Sequence, residues 1–274
     1  VSAVDSEPLP FSAACEVRSL GDGTFTADLR LEWSIGRHPH GGFLLALAAK
    51  AAVRALFEAG EPPTEPLAVS AEFLHALALG PVLLRTDVRK AGRRTTVVAV
   101  SIEQRGRSCV EARVTAGRLP LRPSVWHDVP ALPPEPPPSA IALSGRTAEG
   151  LFHLSKGCDV RVDPATAGFL TGRHDDPPRM RLWARPRQAD PDPFFLLVAG
   201  DLNPPVVFNL GATGWAPTVQ LTSLVRTRPH PGWLRIQVDC RAVHEGWFDS
   251  DAVVVDSHGR MVCQARQLAL ASLP

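Results

Sequence analysis

Three polar side chains, Asp201, Thr218 and Gln267, stand where an internal repeat of the chain makes them unexpected. Pro81-Val82-Leu83-Leu84-Arg85 aligns with Pro231-Gly232-Trp233-Leu234-Arg235. Gly106-Arg107-Ser108-Cys109-Val110-Glu111-Ala112-Arg113 aligns with Gly259-Arg260-Met261-Val262-Cys263-Gln264-Ala265-Arg266. Two units of helix then strands, each ending in a Gly-Arg hairpin, are an internal duplication at a spacing too long for a solenoid. In that register Thr218 falls opposite Ala68 and Gln267 opposite Val114. Asp201 closes an apolar run whose first-half counterpart is almost wholly aliphatic. Such an asymmetry predicts that one half carries chemistry and the other scaffolds it.

A carboxylate at a helix C-terminus beside Leu197 and Val198 would face the negative end of the helix dipole and lose its water. Both effects raise its pKa toward that of a useful general base. Each residue also has a plain structural explanation. Asp201 could be a solvated turn former before Pro204. Thr218 could be an ordinary β-former at a strand start. Gln267, on one strand face with Cys263, Ala265 and Ala269, could simply sit among small residues that let a helix pack closely.

Other chemistries lack their residues. No G-x-S-x-G elbow, P-loop, G-x-G-x-x-G or H-E-x-x-H occurs. His38 and His40 flank Pro39, a poor spacing for chelation from a regular element, so a polar loop at a helix start is expected and no metal. The cysteines, Cys15, Cys109, Cys158, Cys240 and Cys263, are five in number with no C-x-x-C pair. They read as small buried hydrophobes of a reducing cytoplasm.

The elements that must position these groups are organised around one helix. From Phe43 to Phe57 every residue is apolar except Lys50 and Arg54, which lie four apart and share one narrow edge. The helix starts at Gly41-Gly42 and stops at Gly60 before Pro62-Pro63. Before it, Phe11–Leu20 and Thr24–Trp33 read as a hairpin through Gly21-Asp22-Gly23. After it, Leu67–Leu77, Val82–Lys90, Thr95–Arg105 and Ser108–Ala116 read as a four-stranded meander. The proline-rich stretch from Leu119 to Ser139 reads as an extended linker, with Trp126 and Val129 pinning it to the surface. In the second half, a short helix Phe194–Ala199 is capped by Asp192 with Pro193 in its first turn. Strands are expected near Cys158–Val162, Met180–Ala184, Thr218–Arg226, Trp233–Val243, Ser250–Asp256 and Met261–Leu270. The expected division is a first domain over 1–118, a linker over 119–145 and a second domain over 146–274.

Composition narrows the partners. With 274 residues, 45% hydrophobic and 21% charged, the chain can bury a normal core. Lys+Arg (29) nearly cancels Asp+Glu (28), and no basic run occurs, which argues against a nucleic-acid partner. The first nine residues carry no signal pattern, and the long helix is too short and too charged to span a membrane. A cytoplasmic protein with neither a nucleic-acid nor a membrane partner is expected.

Trp33 followed by Pro39-His40-Gly41-Gly42-Phe43, the string Ala199-Gly200-Asp201-Leu202-Asn203, the strand start Pro217-Thr218-Val219, and Gly259 with Cys263-Gln264-Ala265-Arg266-Gln267 together resemble the double hot-dog acyl-CoA thioesterases. The set looks like bacterial acyl-CoA thioesterase II and its actinobacterial-type relatives, from about Phe11 to Leu270. The resemblance implies an α+β fold of two hot dogs, each an antiparallel sheet wrapped around a central helix, fused in tandem as a pseudo-dimer. It implies hydrolysis of an acyl-CoA substrate through a water activated by Asp201, Thr218 and Gln267, without a cofactor. His40, Gly41 and Gly42 are expected to bind the substrate, with the glycine N–H groups offering an oxyanion site. Assembly as a homo-oligomer is expected from the edge-to-edge pairing of such sheets. The sequence departs from thioesterase II at Phe43, where that family has a polar residue. It departs again at Gln220-Leu221-Thr222-Ser223-Leu224, where the family is rich in aromatics. Both departures bear on the acyl-chain preference. Two other functions compete: a catalytically silent acyl-CoA or lipid-binding protein on the same fold, and a hydratase, for which His38 and His40 have no adjacent carboxylate.

Overall fold

The computed structural model describes residues 9–144 and 152–272. The expected start of the second domain at 146 and nearly all of the first nine residues lie outside these.

Where a strand was expected from Phe11, the structure has a helical turn, α1 (Phe11–Ala14), because Phe11 is drawn into the core beside Trp33 and Phe43. Strands β1 (Arg18–Gly21) and β2 (Thr24–Leu29) form the expected hairpin. Gly21, Asp22 and Gly23 all take positive φ there, as a tight turn between twisted strands requires. A 3-10 turn at Leu31–Trp33 and the two-residue pair β3 (Ser34–Ile35) with β4 (His38–Pro39) lead into α2 (Gly41–Glu58). Eleven α2 residues are buried, and Lys50 and Arg54 form its polar edge. Trp33 stacks on Phe43 with ring centroids 5.3 Å apart, fixing where the loop meets the helix.

The remaining strands of the first half are β5 (Glu65–Phe73), β6 (Gly80–Lys90), β7 (Thr95–Gln104) and β8 (Arg107–Gly117). Only β6, β7 and β8 form a meander; β5 lies on the far side of β8 rather than next to β6. The second half contains β9 (Ile141–Ala142), β10 (Cys158–Val162), β11 (Arg179–Pro186), α3 (Phe195–Ala199), β12 (Thr218–Val225), β13 (Leu234–Asp239), β14 (Val243–His244), β15 (Trp247–Val255) and β16 (Met261–Leu270). The topology repeats, with β12 beside β16 as β5 is beside β8.

Among the described residues the two halves form one continuous antiparallel sheet rather than two. Its order is β1-β2-β6-β7-β8-β5-β12-β16-β15-β13-β11-β10-β9, with β14 on β15. The halves meet at β5 and β12, where Gln220 faces Glu72 and Leu224 faces Ala68. Each strand would otherwise leave a row of unpaired backbone groups at an edge, and pairing them removes both edges at once. Ser70 and Thr222 share a 2.8 Å hydroxyl hydrogen bond across this seam.

Asp192 caps α3 as expected, its Oδ1 accepting the Phe194 and Phe195 N–H groups at 3.0 and 2.7 Å. All five α3 residues are buried. The proline-rich segment is held differently from expectation. Trp126 is 81% exposed, whereas Leu132 is buried and Trp183 Nε1 donates to the Pro133 carbonyl at 2.9 Å. Among the described residues no helix is long and apolar enough to cross a membrane.

Candidate active site

The start of α2 and the end of α3 are pressed together, and Asp201 lies where they touch. Gly42 makes the approach possible. A Cβ on Gly42 would stand 2.5 Å from the Leu197 carbonyl oxygen and 2.9 Å from Val198 Cα, both backbone atoms. A Cβ on Gly41 would stand 2.8 Å from Asp201 Oδ2 and 3.3 Å from Phe73 Cζ. The glycine pair is therefore a packing requirement before it is anything else.

Asp201 Oδ2 accepts the Gly42 N–H at 2.7 Å. His40 completes the contact. Its Nδ1 accepts the Phe43 N–H at 3.3 Å, which leaves Nε2 as the protonated nitrogen. Nε2 then donates to the Asp201 backbone carbonyl at 2.8 Å and lies 3.6 Å from Oδ2. Both side chains are nearly shut off from solvent, 6% exposed for His40 and 8% for Asp201. The carboxylate thus sits at the positive N-terminal end of the 18-residue α2 while following directly on the C-cap of the five-residue α3. The dipole of the longer α2 therefore opposes the effect expected from the end of α3. Burial still governs: it pushes the Asp201 carboxyl above its ordinary value, against the smaller opposing pulls of His40 and the Gly42 N–H.

Thr218 and Gln267 are brought together on the neighbouring strands. Thr218 Oγ1 donates to Gln267 Oε1 at 2.7 Å. A register shift between Thr218 and Gln220 at the start of β12 lets Thr218 pair with Ala269 while Leu221 pairs with Gln267. Gln267 shares its strand face with the buried Cys263, Ala265 and Ala269. Gly200 rests directly on that face, since a Cβ there would stand 2.8 Å from Ala265 Cβ. Asp201 follows Gly200 in sequence, and Gln267 is two residues past Ala265, one side-chain step of about 7 Å along the strand. No hydrogen bond joins Asp201 to Thr218 or Gln267 among the described residues.

Of the groups expected to bind substrate, His40 has both ring nitrogens engaged by the backbone and Gly42 spends its N–H on Asp201. Among the described residues the Gly41 N–H meets no protein acceptor, as is usual for the first N–H of a helix. Sequence reasoning missed Ser250, a 3% exposed residue directly opposite Gln267 on β15, and Phe73 against Gly41. Ser250 was findable: it is in phase with the buried Ala252 and Val254. No cluster of three or more potential metal ligands occurs among the described residues.

Comparison with known proteins identifies the family and the fold. Residues 29–117 match the model of the acyl-CoA thioesterase N-terminal domain, and residues 128–271 match that of the acyl-CoA thioesterase C-terminal domain. An uncharacterized protein of Mycobacterium tuberculosis is 41% identical over 97% of this chain and 94% of its own. Among solved structures, a candidate thioesterase II of Thermobifida fusca superposes with a TM-score of 0.80 at 28% identity, covering 96% of this chain and 97% of that one. A protein of unknown function with a hot-dog fold from Alicyclobacillus acidocaldarius gives a TM-score of 0.76 at 20% identity, covering 96% and 98%. Acyl-CoA thioesterase II of Mycobacterium marinum gives 0.67 at 15% identity, covering 96% and 97%, and these last two speak to the fold alone. With matches that take in both halves, the chain belongs to the acyl-CoA thioesterase family and has the hot-dog fold of its thioesterase II neighbours.

Proposed function

We propose that this protein hydrolyses an acyl-CoA thioester to the free acid and coenzyme A, with Asp201 as general base. The frame is a double hot-dog, with residues 1–118 and 146–274 as its two units and 119–145 between them. The observation that carries the proposal is a buried carboxylate with one oxygen held by the Gly42 N–H and the other unbonded among the described residues, on a segment that packs against the strand of the Thr–Gln pair.

The Thr218–Gln267 hydrogen bond supports a division of roles. Thr218 spends its proton on Gln267 Oε1, so the Thr oxygen keeps its lone pairs and the Gln Nε2–H groups remain donors. A water between them gives one proton to Asp201 Oδ1 and the other to Thr218 Oγ1, and accepts from Gln267 Nε2. One lone pair is left for the thioester carbonyl. As the C–O bond forms, the proton passes to Asp201, and the carbonyl oxygen takes up charge that the Gly41 N–H at the start of α2 stabilises. The C–S bond then breaks, and Asp201 returns the proton to the departing sulfur. No covalent acyl-enzyme is needed. His40 and Gly42 hold the carboxylate in place and leave the substrate carbonyl to Gly41.

The test is release of free thiol from a panel of acyl-CoA esters of increasing chain length. Turnover at one or more chain lengths is expected. Tight binding of acyl-CoA with no thiol release at any length would favour the silent binding protein on the same fold.

A further inference from the structure

The packing around Asp201 limits how much acyl chain a thioester could bring to it. Two contacts close the interior. At the first, α2 lies against α3, and a single carbon added to Gly42 would stand 2.5 Å from the Leu197 carbonyl oxygen. At the second, α3 lies against β16, and a carbon added to Gly200 would stand 2.8 Å from Ala265 Cβ. An alkyl chain needs about 3.5–4.0 Å to the atoms on either side of it. Neither contact has space for one carbon, so no chain threads between α2 and α3, or between α3 and the sheet, at these points.

Two side chains fill the space beside these contacts. Phe43, next to Gly42, is wholly buried, stacked on Trp33 and edge-on to Phe11. Leu221, 1% exposed, lies directly opposite Gln267 and faces inward with it. Close-packed walls of this kind admit a guest chain only by moving apart. Apolar surface stays open at Phe73. Its ring is partly exposed and reaches Gly41, whose N–H is the one proposed to take the thioester carbonyl. One face of an aromatic ring is roughly half of its 150–250 Å². That covers about three or four methylenes at about 30 Å² each.

We propose that the acyl-CoA taken by this site carries a short acyl group, of about two to six carbons, lying against Phe73. Phe43 and Leu221 set the limit by filling the interior. The inference rests on the acyl-CoA reading above but not on hydrolysis, and two assays separate them. The first is equilibrium binding of S-alkyl coenzyme A thioethers of two to twelve carbons, which cannot be hydrolysed, to the full-length protein below their micellar concentrations. Only binding displaced by excess S-ethyl coenzyme A is counted, so that other surfaces do not contribute. Affinity should rise by up to about fourfold per methylene to about six carbons and stay level beyond. The second is thiol release from the matching esters, where kcat/KM should peak at or below about six carbons. Leu221→Ala and Phe43→Leu should each extend the rise in affinity by about two carbons. Leu221→Val, a milder cut, should move it the same way by less. Phe73→Ala should flatten the rise, and Leu224→Ala, on the outer face of β12, should leave it unchanged. Affinity that keeps rising to twelve carbons, a kcat/KM maximum at ten or more, no displaceable binding at any length, or a wild-type profile in Phe73→Ala or in the folded Leu221 variants would each overturn the proposal. Thioethers bound with the expected profile while no ester is cleaved would refute hydrolysis and support the short-chain site.

Discussion

Gly42→Ala is the sharpest structural perturbation of the site, because what its methyl would meet is backbone. The added Cβ would stand 2.5 Å from Leu197 O, 2.9 Å from Val198 Cα and 3.0 Å from Asp201 Cβ. Ordinary contact begins near 3.4 Å, so the α2 start and the α3 end must separate by roughly 1 Å. Overpacking of this kind costs about 1–3 kcal/mol. Alanine returns at most about 1 kcal/mol of helix propensity. The balance is a loss of about 1–2 kcal/mol, which lowers Tm by about 2–4 °C for each kcal/mol in a chain of this size. The separation also stretches the 2.7 Å Gly42 N–H to Asp201 Oδ2 bond, so thioester hydrolysis should fall with stability. Gly41→Ala is the control. Its Cβ would meet side-chain atoms, Asp201 Oδ2 at 2.8 Å and Phe73 Cζ at 3.3 Å, so the carboxylate turns aside while the helices keep their distance. That variant should melt close to wild type and lose activity. Thermal unfolding by circular dichroism and a thiol-release assay on both variants decide the matter. A Gly42→Ala protein as stable and as active as wild type would refute the packing argument.

Three further outcomes follow from the same geometry. The acid limb of the kcat/KM profile should lie above 3.8, the ordinary value for the carboxyl, because burial raises Asp201; a limb at or below that value would show a solvated aspartate. Thr218→Val removes both the hydroxyl that fixes the Gln267 amide and one acceptor for the water, so kcat should fall by about tenfold to a hundredfold with KM little changed; a pure KM effect would place Thr218 outside the reacting centre. His40→Asn, which can still donate to the Asp201 carbonyl, should keep more activity than His40→Ala, and equal loss in both would argue against the positioning role of the Nε2 contact.

Much of the site was legible in sequence because the chain carries its own comparison. Thr218 and Gln267 stand out only against Ala68 and Val114, and the register of β12 with β16 then brings them within one hydrogen bond. The α2 helix was legible from its apolar run and its glycine boundaries. What surrounds Asp201 was not. Its neighbour Leu197 suggested the end of α3, but its carboxylate is held by Gly42, whose approach depends on a missing Cβ in a distant part of the chain. The α2 dipole therefore opposes the one expected from α3, while burial, which local apolar residues do reveal, kept the direction of the pKa shift. The segment from Phe11 misled for a similar reason: its alternation suits a strand, but Phe11 packs edge-on to Trp33 and Phe195, and only the assembled core makes those partners available. The merging of the two sheets at β5 and β12 is a tertiary choice between edges that no local pattern encodes.

The central claim is that Asp201 is the base. Asp201→Asn preserves shape, and its side-chain oxygen can still accept the Gly42 N–H. The folded carboxyl is raised, so its favourable contribution is present below the unfolded pKa and is lost as pH rises through the folded value. At neutral pH the asparagine protein should therefore be at least as stable as wild type, and the difference should shrink in acid. With folding secured in this way, acyl-CoA hydrolysis by the two proteins at neutral pH is the direct measurement. The account predicts a kcat lower by about two to four orders of magnitude in Asp201→Asn. Hydrolysis within a few-fold of wild type by a fully folded Asp201→Asn protein would contradict it.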